Sequence, residues 1–245
     1  MGILNFFGGS GPDKAQKLKA KATQKYGDPS VRQKALDQLG EMDIPEAILA
    51  LMGRFTVNVD PQTTDQDEKD LVLHLIQNKG EKAVAPVLEF LRRSDQASSW
   101  AIRVLGTLRP ETEVVALCAS YLEQISSQYT RSPEKKLVLL HFLEGKQDPK
   151  IALAATALLE DMADDVKVAA MKVLGPLKHE AAREPILAIL THGETGRRVQ
   201  AAAIHALTES GFGVQGYREK VEGLLQDPYF VDKSGLVKRR GEATP

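Results

Sequence analysis

Residues Asp164–Gly211 read DDVKVAAMKVLGPLKHEAAREPILAILTHGETGRRVQAAAIHALTESG, and their spacing decides the fold. The pattern is helix, short turn, helix, short turn, helix. Val166, Ala170, Met171, Leu174 and Gly175 stand at the same spacing as Val199, Ala203, Ile204, Leu207 and Thr208. Apolar residues at i, i+4, i+5 and i+8 form one wide stripe on a helix of 3.6 residues per turn. The alanine in each stripe leaves room for a neighbouring helix. Asp164, Asp165 and Thr195 stand where N-caps are expected, since their side-chain oxygens can accept from unpaired backbone N–H groups.

The same stripe recurs earlier in the chain. In DPSVRQKALDQLG, Asp28 is expected to cap a helix and Pro29 to occupy its first position, where a missing N–H costs nothing. Val31, Ala35, Leu36, Leu39 and Gly40 fill the stripe, as do Ala97, Ala101, Ile102, Leu105 and Gly106 further on. A second likeness joins Glu68-Lys69-Asp70-Leu71-Val72-Leu73 to Glu134-Lys135-Lys136-Leu137-Val138-Leu139. Recurrence at this spacing marks a solenoid, whose units each bury their apolar face only against a neighbour.

The run Asp-x-x-Val-Arg-x-x-Ala-x-x-x-Leu-Gly at Asp28–Gly40 resembles the second helix of a HEAT repeat, and residues 83–91 (AVAPVLEFL) are similar to the first. The resemblance implies an all-α, right-handed α-solenoid of about six HEAT-like helix pairs, closed by a short helix and a hairpin-like cap. The expected organisation is an apolar segment at 1–12, one solenoid domain at 13–226, and a capping segment with a basic tail at 227–245. Helix pairs are expected at 13–26 with 29–42, 44–55 with 67–77, 81–93 with 95–108, 111–127 with 133–145, 148–162 with 164–177, and 181–192 with 195–210. A last helix at 217–225 precedes a hairpin turning at Asp232–Gly235. Residues 56–66 (TVNVDPQTTDQ) read as an inserted loop, either a binding loop or a tolerated excursion.

HEAT resemblance implies protein–protein binding most often, nucleic-acid binding less often, and in some members a helper role in bilin attachment. With 32 basic and 33 acidic residues, no global field favours nucleic acid or an anionic membrane. The single Cys118 excludes an internal disulfide framework and a multi-cysteine metal site, and it reads as a small buried apolar residue. No run approaches the roughly 18 apolar residues of a spanning helix, so a cytoplasmic address is expected.

Motifs that could carry chemistry are weak. Gly211-Phe212-Gly213-Val214-Gln215-Gly216 matches G-x-G-x-x-G but follows a helix instead of a strand, so the glycines read as a helix stop and a loop. His179-Glu180 begins a zinc motif, yet Arg183 holds the place of the second ligand. Asp60, Asp65 and Asp67 lack the glycine and glutamate of an EF-hand loop. No enzyme activity, cofactor, metal or small-molecule substrate is expected.

The binding candidates form a ladder. Two residues after each stripe alanine stand Asp37, Arg103, Lys172 and His205; His74 and His141 join if Val72 and Leu139 replace the alanine. The second helices of HEAT arrays line the concave face, so the resemblance implies a polar ladder there that could meet an acidic protein segment or helix. The alternative is a solvated helix face. Trp100 is expected in the core at a repeat junction, or else as an anchor at the groove edge. Lys14, Lys17, Lys19, Lys21 and Lys25 line a basic first helix after MGILNFFGGSGP, either a solvated capping helix or a segment touching a membrane. Gly2 invites myristoylation, but Phe6 stands where that motif needs Ser or Thr.

Overall fold

A computed structural model describes residues 11–129 and 132–241. Most of the apolar segment expected at 1–12, and the end of the tail, lie outside the described residues. The fold is all-α, built of stacked HEAT-like helix pairs with a C-terminal β-hairpin. The chain divides into two compact units, Met1–Val114 and Val115–Pro245.

The first unit holds α1 (Gly11–Ala22), α2 (Pro29–Glu41), α3 (Pro45–Gly53), α4 (Gln62–Gln77), α5 (Val84–Arg93) and α6 (Ser98–Leu108), and α7 (Glu111–Ser126) begins in it. Within this unit α1, α3 and α5 pack in one row and α2, α4 and α6 in a second, each helix also meeting its pair-mate. The interface is made by Ala35, Leu36, Leu39, Leu51, Met52, Val72, Ile76, Ala101 and Leu105, all buried. Each large aliphatic side chain so buried contributes about 1.5–3 kcal/mol.

The second unit holds the rest of α7, with α8 (Glu134–Leu143), α9 (Pro149–Ala157), α10 (Asp164–Leu177), α11 (Arg183–Thr191), α12 (Arg197–Ser210), α13 (Arg218–Leu224), β1 (Tyr229–Val231) and β2 (Val237–Arg239). Here α8, α10 and α12 stack in sequence, α9 packs on α10, and α11 packs on α12. The strands are antiparallel, with Phe230 opposite Lys238. The turn at Asp232–Gly235 forms as expected: Asp232 Oδ1 accepts from Ser234 N at 2.8 Å and from Leu236 N at 3.0 Å. β2 lies against α12 through the fully buried Val237, so the hairpin covers the last helix pair.

Capping follows local chemistry closely in some places and departs in others. Asp28 accepts from Ser30 N at 2.8 Å, with Pro29 opening α2, and Asp148 does the same for Lys150 N ahead of Pro149. Asp164 and Asp165 are not caps. They lie inside the first turn of α10, where negative charge meets the positive end of the helix dipole, while Ala163 is the cap. Thr195 turns inward and donates to Ile189 O at 2.8 Å, leaving Gly196 to cap α12. Ala97 leaves the expected stripe because its φ of 57° is left-handed and the helix starts only at Ser98. Val31 is exposed, and the adjacent Arg32 takes the inward position.

The expected 56–66 loop is shorter than its composition suggests. Arg54–Thr56 form a single 3-10 turn, and Gln62 already opens α4, so only residues 57–61 are irregular. Lys238 and Arg239 are not a free tail, since both belong to β2, and Arg240 pairs with Asp227 at 2.9 Å. Two of the repeat glycines lie close to the next second-row helix, whereas Gly106 has open space around it. A Cβ on Gly40 would come within 2.5 Å of the Leu75 side chain of α4, and one on Gly175 would meet the Glu209 side chain of α12. Among the described residues no helix is long and apolar enough to cross a membrane.

Candidate interaction faces

All six ladder residues are exposed. Each stands two positions after a fully or almost fully buried side chain: Ala35, Val72 and Ala101 in the first unit, Leu139, Ala170 and Ala203 in the second. Val72 and Leu139 therefore do take the alanine's place, which puts His74 and His141 in register with the rest. The structure brings Asp37, His74 and Arg103 onto the successive stacked helices α2, α4 and α6. It brings His141, Lys172 and His205 onto α8, α10 and α12.

Within the first triad the local partners differ. Gln33 Nε2 donates to Asp37 Oδ1 at 3.1 Å, and His74 Nδ1 lies 2.8 Å from Asp70 O, one turn earlier. Arg103 lies over the ring of Trp100, its guanidinium carbon 4.7 Å from the ring centroid. Trp100 is half-buried and stacks on Phe55 with centroids 4.5 Å apart, the planes only 13° from parallel. The indole thus packs at a junction between repeats, as one of its two expected placements has it, with a cation over the ring. In the second triad His205 Nδ1 lies 3.4 Å from Glu209 Oε2, an ion pair only when the imidazole is protonated.

A densely charged cluster lies inside the first unit, on the helix where Val72 replaces the stripe alanine. Glu68 is 4% exposed and its carboxylate is shared by two arginines. Arg32 Nε donates to Oε1 at 3.0 Å, and Arg54 Nε donates to Oε2 at 2.8 Å. Arg54 Nη2 continues to Asp65 Oδ1 at 2.8 Å, and Lys69 Nζ donates to Asp65 Oδ2 at 2.6 Å and to Asn58 Oδ1 at 2.7 Å. Three cations thus face two anions, and two further donors find backbone oxygens: Arg32 Nη1 bonds Gly27 O, and Arg54 Nη1 bonds Val57 O, each at 2.7 Å. Removal from water alone would raise the Asp65 pKa. The hydrogen bonds from Lys69, Arg54 and Val59 N together outweigh that, and they hold the carboxyl below its ordinary value. The network ties residues 57–59 and the turn before α2 to α4. The signal available in the sequence was the pair Glu68-Lys69, repeated at Glu134-Lys135.

The second unit carries a sparser version. Lys136, 2% exposed, donates to Gln128 O and Asp161 Oδ2, each at 2.7 Å. Beside it lies a cleft of about 610 Å³ bordered by Tyr129, Pro133, Asp161, Met162 and Pro185, with the Tyr129 and Met162 side chains largely exposed.

The sites considered for chemistry resolve into structural roles. Cys118 is fully buried, and burial pushes its thiol up to about 12, far from a reactive thiolate at neutral pH. Gly211 caps α12 with a φ of 70°. Gly213 pairs with Leu236, and its carbonyl accepts from Arg183 Nε at 2.7 Å, so the glycine run is occupied by the hairpin and α11. Among the described residues no three His, Cys, Asp or Glu side chains cluster as metal ligands do.

No family model matches the chain, and no curated protein matches it. Among solved structures it is similar to human deoxyhypusine hydroxylase in complex with glycerol, at 15% identity and a TM-score of 0.37. That match covers 87% of this chain and 92% of the other. A likeness at that level carries no inference about activity, and the assignment that stands is the one made by the helix pairs themselves: an all-α chain of HEAT-like repeats.

Proposed function

We infer that the chain is a non-catalytic scaffold that binds another protein through the solvent faces of its second-row helices. The observation that carries this reading is the Trp100–Arg103 pair on α6, set in a ladder of exposed polar residues. Tryptophan and arginine are the side chains most enriched at binding anchors. Phe55 holds the indole, so little ordering entropy is lost when a partner covers it. In the second unit Lys172 occupies the equivalent exposed position between His141 and His205, which suits an acidic segment or helix.

The double substitution R103E with K172E tests the reading. Partner proteins retained by the wild-type chain should be lost, or bound at least about tenfold more weakly, with helix content unchanged. Retention that is unaffected by the double reversal would overturn it. Retention of nucleic acid in place of protein, lost on raising salt, would move the function to nucleic-acid binding.

A further inference from the structure

In the first unit the first helices of successive pairs, α1, α3 and α5, pack directly on one another. In the second, α9 and α11 scarcely touch, and each rests on the second helix of its own pair. Two clefts lie in the space between them and follow α11. One, of about 610 Å³, reaches from Ala157 of α9 to Pro185 at the start of α11. The other, of about 470 Å³, reaches from Leu159 to Ala188 and to His192 at the end of α11. Glu160 borders both. Packed helices sit about 8–10 Å apart, so a row that is closed in one unit stands open in the other.

Shape and charge together say what fills the gap. Its borders carry exposed apolar side chains: Met162 is 83% exposed and Tyr129 78%. Ala157 and Ala188, one on each flanking helix, are exposed and small enough for a third backbone to come close. Glu160, Asp161, Asp164 and Glu194 line the clefts against Lys136 and Lys167, four negative charges against two positive, a net −2 with histidine counted as neutral. Asp161 and Asp164 hold the two lysines, at 2.7 and 3.4 Å. Glu160 and Glu194 are exposed and meet no cation among the described residues. We propose that this gap is a docking groove for one basic amphipathic helix of a partner protein. Its small, aliphatic face lies between α9 and α11, and its lysines or arginines meet Glu160 and Glu194. Neither β-strand borders the gap, so an extended segment would find no backbone to pair with. Nucleic acid and acidic lipid headgroups are repelled by the same carboxylates. None of the six ladder residues borders either cleft, so this surface is separate from the second-row faces.

The test is fluorescence anisotropy of a labelled synthetic helix with the full chain. The helix is about 14 residues, roughly 21 Å long, with leucine and alanine on one face and lysine on the other. The expected result is saturable binding that weakens at least about tenfold in E160K/E194K and in A188W, with circular dichroism unchanged. R103E/K172E should bind the peptide as the wild type does. Equal binding of the same residues in shuffled order, without a helical apolar face, would overturn the proposal, as would binding that survives E160K/E194K or A188W. Absence of saturable binding would overturn it too. So would self-association of the chain that A188W abolishes, since a second copy would then occupy the groove.

Discussion

The segments leading into α4 and α8 solve one problem in two ways. Each joins the first helix of a pair to the second over a longer path than the other turns, and each needs partners for its backbone. Before α4, residues 57–59 are tied down by Arg54, Asp65 and Lys69, with Glu68 anchoring Arg54 to Arg32 of α2. Before α8, Lys136 reaches Gln128 O and Asp161, and an open cleft lies beside it. A buried cation can brace an irregular segment when backbone oxygens surround it. Bracing two segments at once takes a shared carboxylate, and every member then depends on the others.

The widest gap between the two should appear in E68Q. That change leaves Arg32 and Arg54 buried without their common counter-charge and should cost about 3–5 kcal/mol, read as a lowered urea midpoint. A loss below about 1 kcal/mol would show that the network is ornamental. K136M should cost less, about 1–3 kcal/mol, because Asp161 keeps a hydrogen bond from Ala163 N and is partly open to water. An equal or larger loss than in E68Q would reverse the ranking.

Acid sharpens the contrast. The folded-state pKa of Asp65 is depressed, so its stabilisation is present above the unfolded value near 4 and is lost as pH falls through the lower folded value. Urea midpoints of D65N should therefore fall less than those of wild type between about pH 5 and pH 2. Parallel slopes would remove Asp65 from the account. The smallest effect is expected for G40A, within about 1 kcal/mol of wild type. Helix propensity gained in α2 offsets the push on the flexible tip of Leu75.

Much of the fold was legible because it depends on short-range rules. Asp28-Pro29 fixed the start of α2, and the 3.6-residue stripe of Val166, Ala170, Met171 and Leu174 is buried throughout. The positions of His74 and His141 followed once larger residues were allowed to stand in for the alanine. What escaped were choices made by tertiary partners. The burial of Arg32, Lys69 and Lys136 had no local sign, since nothing near them in the sequence shows that a carboxylate or carbonyl will face them. Thr195 was misplaced because the carbonyl of Ile189 competes for its hydroxyl. The loop before α4 was overestimated because Gln62–Gln66 is polar enough to resemble a turn, while Asp65 is in fact drawn into the helix by Arg54.

The stacked pair Phe55–Trp100 has one further consequence. The chain has a single tryptophan, so all of its indole fluorescence arises at α6. One face of that indole lies against Phe55, and a guanidinium lies over the ring. Any ligand that lifts Arg103 away or dries the exposed edge must change the emission colour and intensity. The first unit therefore carries its own optical reporter beside Arg103, with no label and no second indole elsewhere in the sequence.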